Sequence, residues 1–195
     1  MTQARNKSLA KSLHGLIDRP IVLVGLMGCG KSSVGKVIAP LLNLDFFDSD
    51  TEIEDAAGMS IAEIFENYGE AEFRSLERRV FERLIDGSPK IIAAGGGAFV
   101  QDDTRAVIQE GAVSVWLQAR LSVLVARTQK RGNRPILAGK DHRAVLRDLM
   151  EKRRPAYEKA NLRVFSGPES IDKTDRKSTR LNSSYSQQSR MPSSA

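Results

Sequence analysis

Gly25-Leu26-Met27-Gly28-Cys29-Gly30-Lys31-Ser32 fits the pattern G-x-x-x-x-G-K-[ST], in which a glycine-rich loop cradles phosphate groups. Ile21-Val22-Leu23-Val24 precedes it, a short apolar run of the kind that forms a buried parallel strand. Val34, Val37, Ile38 and Leu41 follow at helical spacing on one face. The loop therefore has the strand–loop–helix context its chemistry needs. Glycines let the backbone turn its N–H groups toward phosphate oxygens, and the helix N-terminus adds a favourable dipole. Lys31 can reach the β- and γ-phosphates of a nucleoside triphosphate, and the Ser32 hydroxyl can hold Mg²⁺.

Working outward, further strands are expected at 21–24, 45–48, 91–94, 112–117 and 162–165, with helical patterns between them. That alternation predicts an α/β fold with a five-stranded parallel sheet flanked by helices. Ser60 and Glu63 form a capping-box pair that opens a helix through Tyr68, and a second helix is expected from Glu70 to Ile85. Helices are also expected at 103–109, 121–130 and 142–159. Pro40, late in the first helix, should kink or shorten its last turn.

The 195 residues and 41% hydrophobic content suit one soluble domain with a substantial core. No apolar run reaches the ~20 residues of a membrane-spanning helix, and the basic N-terminus lacks the apolar core of a secretory signal. Cys29 alone cannot form an internal disulfide and reads as a small filler in the loop; a cytoplasmic location is the expectation. The net charge of +6 is carried by the two flanks: Arg5, Lys7, Lys11 and Arg19 against Asp18, and Arg176, Lys177, Arg180 and Arg190 against Asp175. The neutral middle argues against a nucleic-acid surface on the domain. Residues 1–19 read as a leader and 20–174 as the domain. Residues 175–195 read as a disordered, serine-rich tail that resembles a translated adaptor sequence more than a native end. On that reading the final helix is lost.

Asp48 and Asp50 end the second strand, where residues two apart share a face and ligands bind at strand carboxyl ends. One carboxylate could support Mg²⁺ and the other could accept a proton from an attacking hydroxyl. Gly95-Gly96-Gly97 after the third strand implies close backbone approach and N–H groups facing a substrate. Arg74 can border a cleft, while Glu77 and Arg78 could simply pair with helix neighbours. Arg127, Arg131 and Arg134 bracket a Gly- and Pro-containing segment that reads as a mobile, basic lid over a triphosphate. Arg153 and Arg154 lie late in the following helix.

Together the phosphate loop, Asp48-Ser49-Asp50, Glu72-Phe73-Arg74, Gly95-Gly96-Gly97 and Arg134-Pro135-Ile136-Leu137 resemble the shikimate kinase family from about Pro20 to Arg163. The resemblance implies a P-loop fold of the nucleoside-monophosphate-kinase type and transfer of the ATP γ-phosphoryl to the 3-hydroxyl of shikimate, in aromatic amino-acid biosynthesis. By the same resemblance Lys31, Asp50 and Arg134 are catalytic. Gly28, Cys29, Gly30, Lys31, Ser32, Ser33, Arg127 and Arg134 would bind ATP, with Arg127 stacking on adenine. Asp50, Arg74, Gly96, Gly97 and Arg153 would bind shikimate, the two arginines holding its carboxylate, and Ser32 and Asp48 would hold Mg²⁺. The adenine-contacting segment would fall near 166–169, with Pro168 a candidate. His14 and His142 read as surface residues, and a monomer acting on small molecules alone is expected. A kinase for another polyol such as gluconate, a nucleotide-binding module without catalysis, and nucleic-acid binding through the basic ends stand as alternatives.

Overall fold

The computed structural model describes residues 15–129 and 141–167. Five strands, β1 (Ile21–Val24), β2 (Asp45–Asp48), β3 (Lys90–Ala93), β4 (Val113–Ala119) and β5 (Leu162–Ser166), form one parallel sheet in the order β2-β3-β1-β4-β5. The expected sheet is thus present: β1 and β2 have the expected bounds, and the ends of β3, β4 and β5 differ by at most two residues. Among the described residues six helices connect or flank the strands: α1 (Lys31–Leu42), α2 (Ser49–Ala57), α3 (Ile61–Leu84), α4 (Asp102–Gly111), α5 (Leu121–Gln129) and α6 (His142–Tyr157). A 3₁₀ turn, Ala98–Val100, lies between β3 and α4. Among the described residues no helix is long and apolar enough to cross a membrane.

β1 and β3 are buried almost throughout because helices cover both faces of a parallel sheet. Val22, Leu23, Ile91 and Ile92 form the centre of the core, and Phe81, Phe99, Ile108, Leu124 and Leu146 close over it from the surrounding elements. One close approach sets the position of α1. A Cβ at Gly35 would stand 2.3 Å from the Phe46 ring, so only glycine lets α1 lie this tightly on β2. Since α1 begins at Lys31, that contact also fixes where the phosphate loop ends.

Helix boundaries follow local chemistry. α1 stops at Leu42, two residues beyond Pro40, with Asn43 in the left-handed region (φ 54°), as the expectation of a shortened last turn has it. The Ser60–Glu63 capping box is complete in both directions. α3 carries a kink at Gly69 (φ 78°, ψ 179°), which is the break between the two expected helices.

The expectation that Asp48 and Asp50 share a strand face does not hold. β2 ends at Asp48, whose side chain caps α2 by accepting from the Asp50 N–H at 3.2 Å. Asp50 and Glu52 then lie in the first turn, where the helix dipole favours acids. Asp50 therefore projects from a helix. The leader before residue 15, the lid residues 130–140 and the tail from 168 onward lie outside the described residues.

Candidate active site

The phosphate loop occupies the carboxyl end of β1 at the centre of the sheet. Gly25 (φ +135°), Gly28 (φ +82°) and Gly30 (φ +102°) adopt conformations that L side chains rarely enter. At Gly25 space also forbids a side chain, because a Cβ would stand 2.6 Å from the Leu117 carbonyl oxygen. Cys29 is buried, in keeping with a filler role. Lys31 Nζ donates to the Gly25 carbonyl at 2.8 Å and the Leu26 carbonyl at 3.3 Å, folding the ammonium back across the loop. Ser33 follows in the first turn of α1.

Ser32 Oγ donates to Asp48 Oδ2 at 2.6 Å, joining the loop to the end of β2. These are hard oxygen donors beside a phosphate cradle. They suit a divalent cation that takes one or two protein oxygens and completes its shell with phosphate and water. No group of three or more His, Cys, Asp or Glu able to hold a metal occurs among the described residues.

Beside the loop, the three glycines after β3 form a junction. A Cβ at Gly95 would stand 2.6 Å from Asp50 Oδ1, and one at Gly97 would stand 2.9 Å from Arg74 Nη2. The Gly96 carbonyl accepts from Arg153 Nη1 at 2.7 Å. Three sequence-predicted residues from three different helices thus meet three consecutive backbone positions. Gly96 also abuts the phosphate loop, its Cβ position lying 3.6 Å from the Met27 nitrogen. Of the expected substrate-facing N–H groups, that of Gly95 is already committed, donating to Ser49 Oγ at 2.8 Å. Buried Arg105 anchors the far side of this loop by donating to the carbonyls of Phe99 and Val100.

Arg74 is held by Glu77 at 2.8 Å and Glu70 at 3.1 Å, with its guanidinium 4.9 Å from the centre of the Phe73 ring. The pairing of Glu77 with a helix neighbour was expected, but its depth was not: Glu77 is only 1% exposed. Burial pushes its carboxyl above the ordinary range, Arg74 and Arg153 pull the other way, and Asp50 adds to the rise. The carboxylates of Asp50 and Glu77 and the guanidinium groups of Arg74 and Arg153 therefore form one electrostatic cluster around the glycines.

On the opposite flank Arg127 Nη1 donates to the Gly28 and Cys29 carbonyls and to Ser166 Oγ, and its Nη2 to the Gly167 carbonyl at 2.9 Å. It bridges the phosphate loop to the end of β5, the edge at which the adenine-contacting segment was expected. Arg131, Arg134 and Pro168 lie outside the described residues, as does His14. His142 departs from its surface reading: it is half-buried, and its Nδ1 is enclosed without a hydrogen-bond partner among the described residues. Sequence reasoning also passed over Ser49 and Tyr157, which hold the glycine loop from below and from the side. No periodic signal marks either contact, because the partners lie 46 and 61 residues away in the chain.

The shikimate kinase family model matches residues 27–180, most of the chain. The chain belongs to the shikimate kinase family. It is similar to the shikimate kinase of Caulobacter vibrioides strain NA1000, 54% identical over 159 residues that make up 82% of this chain and 80% of that one. The shikimate kinase of Brucella canis is 50% identical over 152 residues, 78% of this chain and 76% of its own. Among solved structures, shikimate kinase from Acinetobacter baumannii in complex with shikimate superposes with a TM-score of 0.73 at 36% identity, covering 80% of this chain and 86% of that chain. The Bacteroides thetaiotaomicron shikimate kinase gives 0.74 at 33% identity, covering 79% and 89%. The family likeness noted in the sequence thus stands, together with the kinase class and the P-loop fold.

Proposed function

We propose that this protein transfers the γ-phosphoryl group of ATP to the 3-hydroxyl of shikimate, giving shikimate 3-phosphate and ADP for aromatic amino-acid biosynthesis. The observation that carries the reading is the glycine junction: Asp50, Arg74 and Arg153 all meet Gly95-Gly96-Gly97, immediately beside the phosphate loop. A carboxylate that takes up a proton, two guanidinium groups that grip a carboxylate and a loop that holds a triphosphate are the groups this transfer needs.

Asp50 orients the attacking hydroxyl and accepts its proton. The hydroxyl oxygen then forms a bond to the γ-phosphorus as the bond to the bridging β–γ oxygen breaks. Arg74 and Arg153 hold the carboxylate of shikimate, and the backbone of Gly96 and Gly97 meets its hydroxyls. Lys31 exchanges the Gly25 and Leu26 carbonyls for phosphate oxygens, while Gly28, Cys29, Gly30, Ser32 and Ser33 supply the surrounding cradle. Arg127 serves the adenine end. Arg134 completes the positive charge around the transferring phosphoryl. Ser32 and Asp48 would hold Mg²⁺, whose charge offsets that building on the phosphate oxygens. The Acinetobacter baumannii relative, solved with shikimate, supports this choice of acceptor. A monomer working in the cytoplasm on these small molecules, without nucleic acid or membrane, fits the same reading.

The test is a coupled ADP-release assay with ATP and Mg²⁺, offering shikimate, gluconate or no acceptor. Shikimate-dependent release alone is expected. Equal release with gluconate would broaden the acceptor class, and release without acceptor would make the protein a simple ATPase.

A further inference from the structure

We propose that Tyr157 is a positioning residue for the acceptor site, holding the Gly96 carbonyl so that the Gly97 N–H keeps its aim while Arg153 turns to the substrate. The inference rests on the reading above in two respects, that Arg153 serves the shikimate carboxylate and that the Gly97 backbone meets the shikimate hydroxyls.

Two donors converge on the Gly96 carbonyl oxygen: Arg153 Nη1 at 2.7 Å and the Tyr157 hydroxyl at 2.6 Å. A carbonyl oxygen has two lone pairs, so this acceptor is fully used. The donors differ in mobility. Arg153 has a long, partly exposed side chain, whereas Tyr157 is 2% exposed and its ring stacks on Trp116 with centroids 5.8 Å apart. Burial pushes the Tyr157 hydroxyl up to about 12, so it remains a neutral O–H donor across the working range.

Direction matters because of the peptide plane. The Gly96 carbonyl and the Gly97 N–H belong to one trans peptide and point opposite ways. Fixing the carbonyl therefore fixes the N–H. Gly96 has no side chain to lock its own rotation, so the carbonyl partners do this job. When Arg153 re-aims at a carboxylate, Tyr157 keeps the half-buried carbonyl paired. Without the hydroxyl, Arg153 must either stay on the carbonyl or leave it unpaired, and the loss falls on the acceptor.

Tyr157→Phe removes the hydroxyl and leaves the stack on Trp116 in place. It should raise the KM for shikimate about tenfold, the scale of one lost hydrogen bond at a half-buried acceptor, and change the KM for ATP less than twofold. The melting temperature of the free protein should move little, because Arg153 still holds the carbonyl. Adding Arg153→Met should expose the sharing. The double variant should melt lower than the two single shifts combined predict, since both donors are then gone. An unchanged shikimate KM in Tyr157→Phe, an equal rise for ATP, or strictly additive melting shifts would overturn the proposal. Arg153→Met separates the two readings. If it raises the shikimate KM while Tyr157→Phe does not, only the role of Tyr157 falls. If it leaves that KM unchanged, the carboxylate assignment fails, and this inference with it.

Discussion

Arg74 Nη1 donates to Glu77 Oε2 at 2.8 Å across one turn of α3, joining a guanidinium that is 22% exposed to a carboxylate that is 1% exposed. The pair places a cation at the rim of the cleft and its counter-charge inside. Arg74→Ala should therefore do more than weaken shikimate binding. It strands a buried carboxylate and should cost about 2–3 kcal/mol of stability, below the usual figure for a fully buried pair because Arg74 is partly solvated. Chemical denaturation checks this. Adding Glu77→Gln should recover most of the stability and none of the substrate affinity, whereas recovery of both would show that Arg74 never touches the acceptor.

The same carboxylate sets a pH dependence. Burial raises Glu77 above its ordinary 4.5, so the folded protein binds this proton more tightly than the unfolded chain. The stability it contributes is complete below that value and is lost as pH rises through the folded one. Melting temperatures of the wild type and of Glu77→Gln, compared from about pH 4 to about pH 7, should show the wild type losing ground steadily. A constant gap would mean that Arg74 and Arg153 offset the burial entirely.

Asp50 faces the glycine junction, so its loss should fall on turnover. Asp50→Asn should lower kcat by about 10²–10⁴-fold, the range for a positioned acid–base group, with the KM for ATP nearly unchanged. Steady-state kinetics against each substrate separates the effects, and a matching rise in the ATP KM would place Asp50 on the nucleotide side.

Two glycines should respond differently to alanine. At Gly95 the obstruction is Asp50 Oδ1, the end of a side chain that can move aside. Gly95→Ala should melt close to the wild type and lose turnover. At Gly25 the obstruction is the Leu117 backbone, and φ is +135°. Gly25→Ala should be destabilised by a few kcal/mol and bind ATP poorly. Thermal melts with and without ATP distinguish the two.

Much of this site was legible because single stretches carried it. Gly25 to Ser32 announces its loop, Ser60 and Glu63 announce a helix start, and Gly69 marks the break in α3. Helix α2 was not legible: Ile53 is its one large apolar residue, so the segment from 49 to 57 shows no apolar stripe at helical spacing. Asp50 was consequently expected on a strand face, whereas it meets Gly95 from the first turn of a helix. Glu77 could be read as a neighbour of Arg74, but its depth depends on the packing of α3 against α2, α4 and the 3₁₀ turn, which one-dimensional spacing does not record. Ser49 and Tyr157 belong to the same class, since their partners lie far along the chain and are simply backbone atoms of glycine.

The strand order β2-β3-β1-β4-β5 gives the enzyme a divisible architecture. Asp50 and the glycine junction follow β2 and β3 on one side of the central strand, while Arg127, Ser166 and Gly167 gather near β5 on the other. On the proposed reading, a lineage can exchange the alcohol it phosphorylates by rewriting the β2–β3 flank and Arg153 on α6, and leave its energy currency untouched near β5. Diversification within this architecture is thus expected to proceed by asymmetric drift, fast at the β2–β3 edge and slow at the β1 loop that both halves share.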